Sequence, residues 1–73
     1  MDHVNEVLGQ AVEDALTESG LSIREAAKQT GIPFATLHRK MCGKGKFTVI
    51  ELLSLANATD RTLRSLIPEE LLA

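Results

Sequence analysis

The sequence predicts an all-α fold, a compact bundle of about five helices. Three observations carry that expectation. Apolar residues recur with a helical period in the longer segments. Serine, threonine, glycine and proline stand where helices begin and end. No segment alternates apolar and polar residues as a half-buried strand would. At 73 residues, a single domain over 1–73 is the expected organisation, with one small core.

Helix 1 is expected over about residues 3–19, with Asp2 as its N-cap. Val4, Val7, Leu8, Ala11, Val12, Ala15 and Leu16 form one stripe at i, i+3, i+4 and their repeats, while Glu6, Gln10, Glu13, Asp14 and Glu18 occupy the other face. Gly20 is the stop. Ser22-Ile23-Arg24-Glu25 is a capping box that opens helix 2, about 23–30, whose inward face is Ile23, Ala26, Ala27 and Thr30. Gly31 supplies a sharp turn and Ile32 plugs the core beside it. Pro33 suits a helix start, so helix 3 is expected over about 34–42, with Leu37 and Met41 inward and Gly43 ending it. Lys44-Gly45-Lys46 is a basic loop. Thr48-Val49-Ile50-Glu51 is a second capping box, and Val49, Leu52, Leu53, Leu55 and Ala56 are the apolar positions of helix 4. Thr62 caps a short helix 5 with Leu63, Leu66 and Ile67. Pro68 interrupts it, and Glu69 to Ala73 either form one last helical turn or fray.

Several function classes fall away on composition. No apolar run is long enough to span a bilayer, and MDHVNEV does not open like a signal peptide. With one cysteine there is no internal disulfide, which fits a reducing, cytoplasmic setting. Cys42 reads as a half-buried structural residue rather than a sensor thiol. Two histidines without convergent acids give no catalytic constellation and no metal-ligand spacing, so neither an enzyme nor a cofactor or small-molecule ligand is expected. The formal charge of −2 conceals a polarity. From Arg24 to Lys46 there are six basic residues against one acid, Glu25; the rest of the chain holds two basic residues and nine acids. A basic middle on an acidic chain is a footprint for a polyanion.

Helix, glycine-containing turn, helix is the helix-turn-helix arrangement, in which the second helix enters the DNA major groove. Ala26 and Ala27 permit the close crossing and Leu37 anchors the second helix. That leaves Phe34, Ala35, His38 and Arg39 outward as base readers. Arg39 can bond guanine O6 and N7 together, Phe34 can rest on a thymine methyl, Ala35 permits close approach, and protonated His38 can donate to a base or phosphate. Thr36 and Lys40, at the margins, are expected on phosphate.

The order L-S-x-x-E-A-A-x-x-x-G-I-P-x-x-T-L-x-R, then a Gly-Lys loop, then T-x-x-E-L-L-x-L-A resembles the lambda-repressor/Cro-like (XRE-type) helix-turn-helix domains, without a gap from about Leu21 to Ile67. The resemblance implies a lambda-repressor-like fold and binding to a double-stranded DNA operator by a small phage or bacterial repressor. It implies that Phe34, Ala35, His38 and Arg39 read bases. Ser22 would stand where the start of helix 2 meets a phosphate, and Lys44 and Lys46 would grip phosphate after the recognition helix. Two positions depart from the pattern. Ile23 stands where relatives often carry glutamine, and Lys40 where they are often apolar. So short a reader is expected to act as a homodimer on a two-fold site, with helix 5 and the tail (Leu63, Leu66, Ile67, Leu71, Leu72) as the contact surface; the alternative is that these leucines close the core. The competing functional reading is an antitoxin-like or protein-binding module that keeps the fold with little DNA binding, with the acidic face of helix 1 toward a basic partner.

Overall fold

The computed structural model describes residues 3–71. It is all-helical among these residues: α1 (His3–Ser19), α2 (Ile23–Thr30), α3 (Phe34–Met41), α4 (Val49–Ala58), α5 (Leu63–Leu66) and a closing 3₁₀ turn (Glu69–Leu71). Asp2, expected to cap α1, and Leu72 of the tail lie outside the described residues.

Local chemistry sets the boundaries. Both capping boxes form: the Glu25 N–H donates to Ser22 Oγ (3.1 Å), and the Glu51 N–H donates to Thr48 Oγ1 (3.1 Å). Thr62 caps α5 through the Ser65 N–H (3.1 Å). α3 ends one residue before the expected position, with Cys42 as its cap. There Gly43 takes φ 81°, and the Lys44 N–H donates to the Arg39 carbonyl (3.1 Å), closing the helix end with the chain turned back on it. Asp60, at φ 57°, makes the same kind of turn after α4, where the Arg61 N–H reaches the Ala56 carbonyl (2.8 Å).

One core joins all five helices: Val12, Ala15 and Leu16 of α1, Ala26 and Ala27 of α2, Ile32 of the turn, Leu37 and Met41 of α3, Leu52, Leu55 and Ala56 of α4, and Leu66 of α5. Leu37 and Leu55 are completely buried. α1 packs on α3, α2 on α3 and α4, and α5 on α4 and α1.

Three expectations are corrected. Val4, at the head of the α1 stripe, is half-exposed. Leu66 is buried and Leu63 packs against the core, so these α5 leucines close the bundle, and among the described residues half-buried Ile67 and Leu71 are what remains of the expected contact surface. The open apolar surface is on α4 instead: Val49, Ile50 and Leu53, one turn apart, are 63%, 76% and 44% exposed.

A feature absent from the sequence reading holds α1 against α3. Gly9 is buried where α1 crosses the end of α3. A Cβ there would lie 2.9 Å from the Met41 carbonyl carbon, nearer still to its oxygen, and 3.2 Å from the Lys40 oxygen. Only hydrogen fits, so the backbones approach more closely than any side chain would allow.

Candidate nucleic-acid interface

The scaffold presents α3 by its outer side. Leu37 is completely buried, Met41 nearly so, and Ile32 fills the angle between α2 and α3. With that face spent on the core, Phe34, Ala35, His38 and Arg39 are all exposed, as the sequence predicts. Thr36 is half-buried at the margin. Lys44 and Lys46 are exposed on the following loop, and Ser22 is exposed at the start of α2. The hydroxyl of Ser22 is engaged by the Glu25 N–H, and its own N–H points to the Glu25 carboxylate (3.4 Å). What remains for an anion at this end of α2 is the first-turn amides of Ile23 and Arg24 rather than the serine side chain.

Phe34 is not a free wedge. The Arg24 guanidinium carbon lies 4.5 Å from its ring centroid, and the His38 ring stacks on it at 6.1 Å with 25° between planes. The cation sits over the π face, an attraction of about 0.5–1 kcal/mol at an exposed site. Arg24, Phe34 and His38 therefore form one continuous layer from α2 to α3. Arg24 was not among the expected site residues. Its only trace in the sequence was membership of the basic run, because the contact joins residues ten apart across the turn.

Lys40, expected on phosphate, is engaged within the protein. Its ammonium donates to both Glu51 oxygens at 2.7 and 2.8 Å, and its side chain is only 12% exposed. The same Glu51 carboxylate accepts the Thr48 N–H (2.9 Å). Burial would raise the Glu51 carboxyl, but Lys40 and Thr48 outweigh it and hold it below its ordinary value. In this structure Lys40 ties α3 to α4. Cys42, expected half-buried, is exposed.

A helix fixed through its inner face, a tight glycine turn before it, exposed basic and aromatic side chains along its outer face and a cationic loop after it define a helix-turn-helix DNA-binding domain. The chain belongs to the helix-turn-helix, Psq domain family, which it matches over residues 5–49. The match takes in nearly all of α1, the whole α2–turn–α3 unit, the basic loop and the first residue of α4. No curated protein and no solved structure gives a match to this chain.

Proposed function

We propose that the chain is a sequence-specific reader of double-stranded DNA of the lambda-repressor/Cro-like (XRE) type, serving as a small transcriptional repressor. α3 enters the major groove. Arg39, His38 and Ala35 meet base edges, and Phe34 supports them. The α2 start at Ser22, Thr36 at the margin, and Lys44 and Lys46 hold the phosphates on either side. The observation that carries this reading is the division of α3 into a buried side, Leu37 and Met41, and an exposed side on which Ala35, His38 and Arg39 stand together. A helix so anchored reaches a base edge with little further ordering.

An eight-residue helix reads only a few base pairs, so specificity calls for two copies on a two-fold site. The apolar surface open to such a contact is Val49, Ile50 and Leu53. The reading is of a binder, not a catalyst.

Selection of bound duplexes from a random pool gives the target. Arg39→Ala then weakens binding to that duplex by about 1–3 kcal/mol, about 5- to 150-fold, and relaxes one position of the site. Unchanged affinity and unchanged base preference in Arg39→Ala would remove α3 as the reader and favour a protein partner. Sedimentation with and without the duplex decides between one copy and two.

A further inference from the structure

We infer that Lys40 and Glu51 are a positioning pair. Together they fix the Lys44–Lys46 loop against the end of α3 before DNA arrives, so that the loop's cations are already aimed at phosphate when the helix enters the groove. The inference rests on the DNA-binding reading above.

Lys40 stands between Glu51 and the loop. Its ammonium is held by both oxygens of Glu51. Glu51 is itself locked at the first turn of α4 by the Thr48 N–H and by its own N–H to Thr48 Oγ1. The aliphatic stem of Lys40 lies against Gly45, at the middle of the loop. A Cβ on Gly45 would stand 3.2 Å from Lys40 Cγ and 3.9 Å from both Lys40 Cε and Arg39 Nε. The loop also starts as a continuation of α3, through the Lys44 N–H on the Arg39 carbonyl. A segment in which glycines alternate with lysines, Gly43-Lys44-Gly45-Lys46, would otherwise sample many conformations. Here it is bound at its start by α3, in its middle by the Lys40 stem, and at its end by the Thr48–Glu51 box.

The alternative, that Lys40 leaves Glu51 to meet a phosphate, has the wrong electrostatics. It would strand a carboxylate with a side chain only 20% exposed beside an incoming negative charge. Lys40 thus acts on DNA through Lys44 and Lys46. Each long side chain and the loop backbone that must otherwise be ordered on binding lowers affinity, and the tie removes that cost in advance.

The two roles predict opposite signs for Glu51→Gln. Glutamine at the third helical position still serves a capping box, but it lacks the charge that pairs with the ammonium and the second carboxylate oxygen that accepts from it. If Lys40 is a positioning residue, Glu51→Gln weakens binding to the selected duplex about tenfold, and weakens an unrelated duplex in the same proportion. In the free variant, backbone amide order over residues 43–47 falls from about 0.85 to below about 0.6. Lys40→Met, which keeps the stem over Gly45 and leaves the Thr48 cap intact, shows the same direction in both measurements and serves if Glu51→Gln folds poorly. Equal or tighter DNA binding by Glu51→Gln overturns the inference, as does unchanged loop order in both variants. If the wild-type protein selects no duplex at all, the DNA-binding reading fails by itself. Loop order in the free protein then still decides whether the pair holds the loop.

Discussion

Gly9→Ala inverts an ordinary rule. In the interior of an exposed helix, replacing glycine by alanine stabilises by about 1 kcal/mol. Gly9 lies within the seventeen-residue α1, so propensity alone predicts that gain. The structure predicts the opposite. A methyl carbon at this site would be 2.9 Å from the Met41 carbonyl carbon, against about 3.5–4.0 Å for a relaxed carbon contact. α3 and α1 must separate by roughly 0.6 Å or more, and the obstacle is backbone, which has no rotamer to yield. Overpacking of this kind costs about 1–3 kcal/mol. With no flexible group to absorb it, the upper end applies, and the net loss after the propensity gain is about 2 kcal/mol. For a domain of this size that lowers the Tm by about 8–16 °C. Urea unfolding followed by circular dichroism reads the change, with an unaltered slope showing that cooperativity is kept. Thr17→Ala, on the exposed side of the same helix, is the control and gains a few tenths of a kcal/mol. A Gly9→Ala protein that melts several degrees above the wild type would refute the close approach of α1 and α3. The folded variant also carries a displaced α3, so its DNA affinity falls by more than its stability explains.

Lys44→Ala combined with Lys46→Ala lowers affinity for selected and unrelated duplexes alike. It reduces the slope of log affinity on log salt by about 1.8, roughly 0.9 for each phosphate contact; an unchanged slope would place the loop away from the backbone. Lys40→Met destabilises the fold by about 1–3 kcal/mol at neutral pH, since a largely buried ion pair loses one partner. The Glu51 carboxyl is held below its ordinary value of 4.5 in the folded protein, so its contribution is present above about pH 4.5 and disappears as pH falls through the folded-state value. The stability difference between wild type and Lys40→Met is therefore widest near pH 7 and closes in acid, and a gap that stays constant with pH would mean that Glu51 is not the partner that matters.

What could be read in the sequence was the information carried within one or two helical turns. Ser22 with Glu25, Thr48 with Glu51, and Gly31 before Pro33 each announce a boundary through residues three or fewer apart, and those boundaries fall where they were expected. Leu37 and Met41 share a face by their spacing alone, so the outward set Phe34, Ala35, His38 and Arg39 follows. What could not be read depends on how elements meet. Gly9 looks like an ordinary weak point in a helix until the carbonyls of Lys40 and Met41 arrive against it. Lys40 and Glu51 are eleven residues apart on different helices, and a lysine on the edge of α3 gives no sign in the sequence that a carboxylate has claimed it. Leu66 and Leu53 are equally apolar. Which one is covered depends on where α5 folds back, and Leu66 is.

The layer of Arg24, Phe34 and His38 bears on how this protein could acquire a new target. Where neighbouring side chains share a contact, the effects of changing them do not add. Replacing Phe34 would release both Arg24 and His38 from their contact, altering three positions through one codon. Ala35 and Arg39 have no part in that stack, so each can be exchanged alone. If residues 35 and 39 read bases as proposed, drift toward a new target is therefore gradual through them. Through residue 34 it is abrupt, with single changes that look harmful until a companion change at 24 or 38 follows.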